Sequence, residues 1–336
     1  MGEAAAIDKL EPAAPDETLP VVVVAGPTAG GKSALALEIA AALGGTIINA
    51  DSMQIYRDLP ILTAQPDAAA RRAVPHRLYG ILALDDPATA ARWAELALSE
   101  IKAAWDQKRV PLLVGGTGLY LRALLEGFAP IPDIDARFRE DAQALLKELG
   151  AAGLHARLAA RDAETAAKLR PSDSQRIMRA WEVLAATGKP LAWWQAQPST
   201  RPGPVAAIAF VVNPARDDLY AACDARFTAM LEAGALDEVA AARRAYSGAD
   251  QGRAGFKALG FRELARHLDG EIALTEAAAA ARQATRNYAK RQSTWFRHQL
   301  AGATFLAPDQ GGMKFSQSSL AATRHKIRDF LLTHQK

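Results

Sequence analysis

A glycine-rich segment near the start of the chain has the composition of a phosphate-binding loop. It fits the pattern G-x-x-x-x-G-K-[ST] with Gly26, Pro27, Thr28, Ala29, Gly30, Gly31, Lys32 and Ser33. A β-branched run precedes it and a helical pattern follows, so successive backbone N–H groups and a helix N-terminus would converge on an anion. Lys32 would add a positive charge and Ser33 an oxygen for Mg²⁺. The segment therefore predicts a bound di- or triphosphate, without saying which compound reacts.

Three further residues could do chemistry beside such a loop. Asp51 follows a predicted strand at residues 47–49, where a carboxylate could accept a proton or hold Mg²⁺ through water; alternatively it starts a turn. Thr117 lies in a glycine-rich turn at residues 115–118 and could bond a phosphate or a ribose, or only shape the turn. Arg226 lies on a predicted helix, where it could bind a diphosphate in bidentate fashion or cover a solvated face.

A cationic segment near the end of the chain indicates RNA binding. Its basic and aromatic residues are Arg282, Arg286, Tyr288, Lys290, Arg291, Trp295, Phe296, Arg297 and His298. A spacing of four places Arg282, Arg286 and Lys290 on one helical stripe that matches a phosphate backbone, and aromatic rings nearby could stack on unpaired bases. The alternative is a solvated helix with Trp295 and Phe296 in the core.

A second candidate RNA contact lies at residues 174–180. Gln175 and Arg179 are four residues apart and share a helix face, while Ile177 belongs to another. Ser172 and Gln175 also fit a capping box, which would give Gln175 a structural role instead.

Strand and helix patterns alternate along most of the chain. Apolar runs at residues 21–25, 47–49, 111–114 and 206–212 predict buried strands joined by helices, which is an α/β fold with a P-loop NTPase-like parallel sheet flanked by helices. Between these runs lies a helical insertion with predicted buried residues Leu145, Leu149, Leu158, Ile177, Trp181 and Leu184. The predicted divisions are a disordered tail (1–19), a catalytic core with C-terminal RNA-binding helices (20–130 and 205–310), the insertion (131–204) and a C-terminal helix (311–336).

Composition sets the class of protein. The 336 residues are 50% hydrophobic and 23% charged, as expected for a globular protein, and the net charge of +3 is modest. One cysteine, Cys223, excludes an intramolecular disulfide and a cysteine metal site. With no secretory, mitochondrial or membrane-spanning pattern, we expect a cytoplasmic monomer without a membrane partner.

Five sequence blocks downstream of the phosphate loop resemble tRNA dimethylallyltransferases. They are Asp51-Ser52-Met53-Gln54-Ile55-Tyr56-Arg57, Gly115-Gly116-Thr117-Gly118-Leu119-Tyr120-Leu121-Arg122, Ser174-Gln175-Arg176-Ile177-Met178-Arg179-Ala180, Lys257-Ala258-Leu259-Gly260-Phe261-Arg262-Glu263-Leu264 and Tyr288-Ala289-Lys290-Arg291-Gln292-Ser293-Thr294-Trp295-Phe296-Arg297. The chain departs from that family's pattern at His76, where a doubled histidine is usual, and at Leu62 and Gln65, where a glycine and a lysine are usual.

The resemblance implies transfer of a dimethylallyl group from dimethylallyl diphosphate to N6 of adenosine 37 of tRNA, with Mg²⁺ and with the insertion around the anticodon stem. Asp51, Thr117 and Arg226 would be catalytic. The implied tRNA contacts are Asp51, Ser52, Met53, Gln54, Thr117, Gln175, Arg176, Ile177, Met178, Arg179, Lys257, Gly260, Phe261, Arg262, Arg286, Lys290, Arg291, Gln292, Trp295 and Arg297.

Two other functions are compatible with the phosphate loop alone. A small P-loop kinase acting on a metabolite or nucleotide needs the loop but neither the basic helix nor the insertion. An RNA-binding GTP switch would carry an N-K-x-D motif, which this sequence lacks.

Overall fold

The computed structural model describes residues 18–248, 254–309 and 314–334. Most of the predicted tail (1–19), and residues 311–313, 335 and 336 of the predicted C-terminal helix, lie outside these ranges. The described chain forms two compact units. We call them the sheet unit, which runs up to Leu125 and resumes at Pro202, and the helical unit, Glu126–Arg201.

The sheet unit contains one six-stranded sheet in which every strand pairing is parallel. The strands are β1 (Leu19–Ala25), β2 (Gly45–Asn49), β3 (His76–Arg77), β4 (Val110–Gly115), β5 (Val205–Val212) and β6 (Thr304–Leu306), in the order β3-β2-β4-β1-β5-β6. The predicted parallel α/β fold is confirmed. The edge strands β3 and β6 were not predicted, because segments of two and three residues give no recognisable apolar run.

Helices surround the sheet and form the whole of the helical unit. They are α1 (Lys32–Leu43), α2 (Ala68–Ala73), α3 (Ala90–Asp106), α4 (Gly118–Leu125), α5 (Ala136–Ala159), α6 (Ala163–Ala167), α7 (Ser174–Thr187), α8 (Leu191–Gln195), α9 (Arg216–Glu232), α10 (Ala235–Ala245), α11 (Phe261–Leu268), α12 (Leu274–Gln299) and α13 (Gln317–Thr333). Within the described ranges, no helix has the length and apolar character needed to cross a bilayer.

The core of the sheet unit lies where helices cover the central strands. The residues of β1 are buried throughout, as are Leu35, Ile39 and Leu43 on the predicted inner face of α1. Trp93 of α3 stacks on Tyr120 of α4 with ring centroids 4.6 Å apart. The Trp93 indole N–H also donates to the Asn49 carbonyl at 2.8 Å, which fixes the end of β2 next to the site described below.

The helical unit has its own apolar core between α5 and α7. Leu158, Ile177, Trp181 and Leu184 are buried there as predicted, and Leu145 is partly buried. The prediction for Leu149 is wrong: its side chain is 37% exposed, because α5 is broken at Gly150, whose φ of 68° interrupts the helical face.

The predicted capping box at the start of α7 is also wrong. The helix begins at Ser174, and its N-cap is Asp173, whose carboxylate accepts the Arg176 backbone N–H at 3.3 Å. Gln175 is exposed, and among the described residues its side chain is not seen to bond a backbone N–H at the start of α7.

Candidate active site

Three connections meet at the carboxyl edge of the sheet. The phosphate loop, residues 26–33, follows β1, Asp51 follows β2, and Thr117 follows β4. Because β2, β4 and β1 are adjacent and parallel, their carboxyl ends lie at the same edge. The sheet topology therefore brings together three segments that are distant in the sequence.

The phosphate loop adopts a tight turn that ends in a helix N-terminus. Gly26 has a φ of 143° and lies so close to β5 that a Cβ there would be 2.6 Å from the Val212 carbonyl oxygen. Gly31, with a φ of 91°, precedes the first residue of α1, Lys32. The Lys32 ammonium donates to the Pro27 carbonyl at 2.7 Å, so it lies over the turn where an anion would bind.

Charges around Lys32 tune its proton affinity. Desolvation of the ammonium lowers the pKa of Lys32 to about 8; the Asp51 carboxylate opposes this shift and the Arg226 guanidinium adds to it. Burial likewise lowers the pKa of Arg226. Two cations thus lie together with little solvent, an arrangement that a bound polyanion would stabilise.

Arg226 of α9 reaches the phosphate loop. Its guanidinium forms a short hydrogen bond to the Thr28 hydroxyl, and the neighbouring Cys223 lies beside the same loop residue. The alternative interpretation of Arg226 as part of a solvated helix face is therefore wrong. Burial raises the pKa of the Cys223 thiol, which leaves it neutral at physiological pH.

Asp51 is held by its own strand end. The Asn49 side chain accepts the Asp51 backbone N–H at 2.8 Å and donates to the Asp51 carbonyl at 2.9 Å and the Leu78 carbonyl at 3.0 Å. The Asp51 Oδ1 accepts the Met53 backbone N–H at 2.9 Å, so the predicted turn-forming role is present. Among the described residues, no hydrogen bond or ion pair involves Oδ2, so this oxygen is available for a proton or a ligand.

Thr117 connects the turn after β4 with the Asp51 segment. Its Oγ1 accepts the Ser52 backbone N–H at 2.9 Å and lies 3.2 Å from the Ser52 hydroxyl. Tyr288 of α12 contacts Thr117 as well, and burial together with the Asp51 charge raises the pKa of its phenol. The sequence predicted Tyr288 only as an aromatic residue of the cationic segment; its place beside Asp51 was not predicted, because it depends on how α12 packs.

A cleft runs between the phosphate loop, the Asp51 segment and α9. Its lining residues are Thr28, Asp51, Met53, Leu62, Thr63, Cys223, Arg226, Phe227, Met230, Leu259, Thr285 and Tyr288. One part is polar, with the carboxylate, the guanidinium and hydroxyl groups, and the other part is apolar. The cleft can therefore bind an anion attached to an apolar group and place a carboxylate beside the junction between them.

The residues of the cleft fit a magnesium ion only in part. Among the described residues, no three His, Cys, Asp or Glu side chains converge in a way that could hold a metal ion. Ser33 is exposed at the start of α1, and Asp51 has its second carboxylate oxygen unbonded. These groups suit Mg²⁺, which takes most of its remaining ligands from phosphate oxygens and water.

The predicted cationic stripe on α12 is divided between two functions. Arg286 forms an ion pair with Asp224 at 2.6 Å, and Arg282 donates to the Thr228 hydroxyl at 2.8 Å, so both residues join α12 to α9. Arg286 therefore has a structural partner in Asp224, and its RNA contact stays a prediction. Lys290 and Arg291 remain exposed, and Arg291 lies over the Tyr288 ring at 5.6 Å.

Gln292 has a structural role, and its tRNA contact stays a prediction. Its side chain is 5% exposed; Oε1 accepts the Thr28 backbone N–H at 2.7 Å and Nε2 donates to the Gly116 carbonyl at 2.8 Å. A Cβ on Gly116 would lie 2.1 Å from that Nε2, so the glycine permits this approach. Gln292 thus joins α12 to the phosphate loop and to the turn after β4.

Trp295 and Arg297 stay on the outer part of α12. The half-buried Trp295 ring packs on Gly118, where a Cβ would be 2.4 Å away, and it lines a shallow depression with Lys290 and Arg291. Arg297 is exposed. Phe296 is fully buried, so the core interpretation is right for this residue.

The segment around α11 also contains both exposed and buried residues among its predicted tRNA contacts. Lys257 and Arg262 are exposed, and the Arg262 side chain is 84% exposed. Phe261 is buried against Phe256, with ring centroids 5.5 Å apart, so its side chain packs in the core. Gly260 has a φ of 89°, and Phe227 would be 2.7 Å from a Cβ there. The tRNA contacts of Phe261 and Gly260 stay predictions.

Gln54 forms hydrogen bonds to the loop beside the cleft. Its amide nitrogen donates to the Thr63 carbonyl at 3.0 Å and to the Ala64 carbonyl at 2.7 Å, which leaves only the amide oxygen for a base. Ser52 and Met53 are half-buried next to Asp51.

The predicted tRNA contacts in the helical unit differ in their exposure to solvent. Gln175 and Arg176 are exposed, and Arg179 is exposed with an ion pair to Glu182 at 3.0 Å. Ile177 is fully buried and the partly buried Met178 packs against the same core, so their side chains serve this core, and their tRNA contacts stay predictions. Their side chains stabilise α7 against α5.

Comparison with known proteins agrees with this geometry. The family model described as IPP transferase matches residues 54–299. A protein of Rhodospirillum centenum named tRNA dimethylallyltransferase is 57% identical over 292 residues, which is 87% of this chain and 92% of the relative. A protein of the same name from Paramagnetospirillum magneticum is 50% identical over 94% of this chain and 98% of its own length.

Solved structures give the same result. The full-length tRNA isopentenylpyrophosphate transferase of Bacillus halodurans is 31% identical, covers 94% of this chain and 97% of its own, and has a TM-score of 0.63. A eukaryotic dimethylallyltransferase acting on tRNA shares the fold with a TM-score of 0.75 at 24% identity, over 94% of this chain and 80% of its own. The predicted resemblance is confirmed, and the chain belongs to the IPP transferase family of tRNA-modifying prenyltransferases.

Proposed function

We propose that this enzyme transfers a dimethylallyl group from dimethylallyl diphosphate to N6 of adenosine 37, beside the anticodon of tRNA. The observation that carries the proposal is the cleft itself. Asp51, whose Oδ2 makes no hydrogen bond or ion pair to the described residues, lines the same cleft as Arg226 and Thr28 of the phosphate loop. Membership of the IPP transferase family favours this chemistry over the phosphoryl transfer of a P-loop kinase.

The polar part of the cleft would stabilise the leaving group. The backbone N–H groups of Gly31, Lys32 and Ser33 at the start of α1, together with the Lys32 ammonium, the Thr28 hydroxyl and the Arg226 guanidinium, would bind the diphosphate. Charge builds on the bridging oxygen as its bond to the allylic carbon breaks, and preorganised cations stabilise that charge more than the ground state. Bound Mg²⁺, with Ser33 and the phosphates as ligands, would supply further charge neutralisation.

Asp51 would act as the general base. The N6 amine is a poor nucleophile because its lone pair is delocalised into the purine ring, and its proton becomes acidic as the N–C bond forms. Oδ2 of Asp51 would take that proton while the C–O bond to diphosphate breaks. Oδ1 stays bonded to the Met53 N–H, which fixes the direction of the carboxylate. Thr117 would position the base or the ribose through its hydroxyl.

The substrate nucleoside must leave its stack to reach this cleft. In the sheet unit the exposed Lys257, Arg262, Lys290, Arg291 and Arg297, with Trp295 beside them, would bind the anticodon loop and its phosphates. In the helical unit Gln175, Arg176 and Arg179 would contact the anticodon stem. We expect the enzyme to act as a monomer in the cytoplasm on folded tRNA.

Mass analysis of tRNA nucleosides tests this function. Incubation with unmodified tRNA, dimethylallyl diphosphate and Mg²⁺ should convert one adenosine per susceptible tRNA into its dimethylallyl derivative and release diphosphate. Omission of either substrate or addition of a chelator serves as the control. Unmodified adenosine together with ATP-dependent phosphorylation of a small acceptor would instead favour the kinase.

A further inference from the structure

The apolar residues that line the cleft bear on substrate choice. These wall residues are Met53, Leu62, Phe227, Met230 and Leu259. A diphosphate held by the phosphate loop and Arg226 would direct its hydrocarbon chain away from these cations and toward the apolar wall. Contact with apolar side chains removes the hydrocarbon from water and lowers the free energy, whereas contact with charged groups gives no such stabilisation.

The backbone of Leu62 is held by side chains from outside its own loop. The half-buried Glu238 of α10 accepts the Ile61 N–H at 2.7 Å and the Leu62 N–H at 2.8 Å, one with each carboxylate oxygen. Gln54 bonds the next two carbonyls, those of Thr63 and Ala64. Leu62 therefore cannot move away from the cleft without breaking hydrogen bonds to a half-buried carboxylate.

The Leu62 side chain fills space that nothing else occupies. It is 5% exposed, and its Cδ1 would lie 3.3 Å from a Cβ on Gly260, next to the Phe227 ring. Since Gly260 has no side chain, Leu62 and Phe227 together close this part of the cleft. Removing the Leu62 isobutyl group would open a volume bounded by glycine backbone and an aromatic ring.

We propose that Leu62 sets the length of the isoprenoid chain, admitting a five-carbon dimethylallyl group and excluding a ten-carbon geranyl group. The inference rests on the proposed function, because it needs an allylic diphosphate in this cleft. A second isoprene unit would have to occupy the volume that Leu62 fills, and the fixed backbone of residues 61–64 prevents the wall from yielding.

The test compares kcat/KM for dimethylallyl diphosphate and geranyl diphosphate with the same tRNA. In Leu62→Ala the ratio of geranyl to dimethylallyl transfer should rise at least about tenfold, since pocket fit to one or a few methylenes discriminates by roughly 10–200-fold. Leu62→Met keeps the volume and should leave the ratio near that of the unmodified enzyme. Leu59→Ala, a truncation of a buried leucine on the same loop that does not line the cleft, is the matched control.

Each outcome decides a separate question. An unchanged ratio in a folded Leu62→Ala that still transfers dimethylallyl overturns the role of Leu62, and so does an equal increase in Leu59→Ala, which would indicate a loosened loop. If Leu62→Ala does not fold, Leu62→Val should give a smaller increase, and no increase there overturns the proposal. Failure of the unmodified enzyme to transfer dimethylallyl would refute the proposed function itself. Equilibrium binding of geranyl diphosphate to each variant, expected to be tighter only in the Leu62 truncations, gives a readout independent of turnover.

Discussion

Asp51 shows how one side chain can combine a structural role with a chemical one. Its Oδ1 accepts the Met53 N–H, and its backbone is bonded on both sides by Asn49. An asparagine at position 51 can keep the Met53 bond through its amide oxygen, yet it cannot accept a proton at neutral pH. Replacing Asp51 by asparagine therefore tests its role as a proton acceptor while its turn-forming hydrogen bond is kept.

Asp51→Asn should bind inorganic diphosphate and the anticodon stem-loop almost normally, and should transfer the prenyl group at least about a hundredfold more slowly in single-turnover experiments. The matched control is Asp58→Asn. Asp58 accepts the Tyr246 hydroxyl at 3.0 Å and the Leu84 N–H at 3.2 Å outside the cleft, so this variant should lose some thermal stability but keep the rate. Transfer by Asp51→Asn within a few-fold of the unmodified enzyme would show that the base lies elsewhere.

Lys32 makes diphosphate binding depend on pH. Its pKa is lowered from 10.5 to about 8, so between these values the unfolded chain holds a proton that the folded chain has lost. The destabilisation caused by the buried charge is thus present below about pH 8 and disappears as the pH rises to 10.5. A bound diphosphate favours the charged ammonium, so its affinity should fall as the pH rises from 7 to 9, by up to about tenfold per unit above the pKa.

Calorimetric titration with inorganic diphosphate measures this dependence. Lys32→Arg keeps its charge and should lose the pH dependence, while Lys32→Met should bind weakly at every pH. Burial raises the pKa of Cys223, whose thiol stays neutral over most of this range and so adds little. A flat profile in the unmodified enzyme would contradict the lowered pKa of Lys32.

At the scale of elements, helix α12 joins the two parts of the active site. Gln292 faces inward and bridges Thr28 of the phosphate loop with Gly116 of the turn after β4. Lys290 and Arg291, its close neighbours in the sequence, are exposed. A helix that binds RNA on one side would therefore also hold the phosphate loop on the other.

The salt dependence of stem-loop binding can distinguish the cations of α12 that bond to α9 from those that are exposed. The double variant Lys290→Ala/Arg291→Ala should weaken stem-loop binding and flatten its logarithmic salt dependence by roughly 0.7–0.9 for each RNA phosphate that the enzyme no longer neutralises. The matched variant Arg282→Ala/Arg286→Ala removes the same charge from residues joined to α9, so it should lower the melting temperature and leave the slope nearly unchanged. Equal slopes in both variants would show that pairing to α9 does not decide RNA contact.

Helix α12 also shows where sequence interpretation succeeds and where it fails. The helix, its excess of positive charge and the burial of Phe296 follow from the residue pattern. The roles of Arg286 and Gln292 do not, because their partners Asp224 and Gly116 are 62 and 176 residues away. A spacing of four identifies a shared helix face, and only tertiary packing determines whether that face meets solvent or another helix.

The same distinction applies to the fold. The strands β1, β2, β4 and β5 are buried runs and were predicted, whereas β3 and β6 gain their partners only from sheet pairing. In the site, the phosphate loop and Asp51 could be predicted because they belong to local sequence motifs. The apolar wall with Phe227 and Met230, and the phenol of Tyr288, depended on the packing of α9 and α12.

At the scale of the whole molecule, the helical unit is an insertion whose two ends lie side by side. The Phe128 N–H donates to the Thr200 carbonyl at 3.3 Å, and the Thr200 N–H donates to the Phe128 carbonyl at 2.9 Å. Between these residues α5 and α7 form a core of their own, with Leu158 and Ile177 fully buried. The chain thus leaves and re-enters at one place, which favours removal of the insertion without strain on the sheet.

Replacing residues 129–199 by a short glycine linker should therefore leave a sheet unit that unfolds cooperatively, because closing a short loop between adjacent ends costs little entropy. This variant should bind inorganic diphosphate with nearly the affinity of the full chain, since the phosphate loop and Arg226 belong to the sheet unit. Stem-loop affinity should fall at least about tenfold, with a flatter salt dependence, because the arginines of the insertion would no longer neutralise RNA phosphates. Filter binding at several salt concentrations measures the stem-loop affinity and its salt dependence. Arg176→Ala/Arg179→Ala in the full chain should reproduce part of this decrease if these exposed arginines bind RNA. Full stem-loop affinity in the shortened protein, together with intact diphosphate binding, would confine tRNA recognition to the sheet unit.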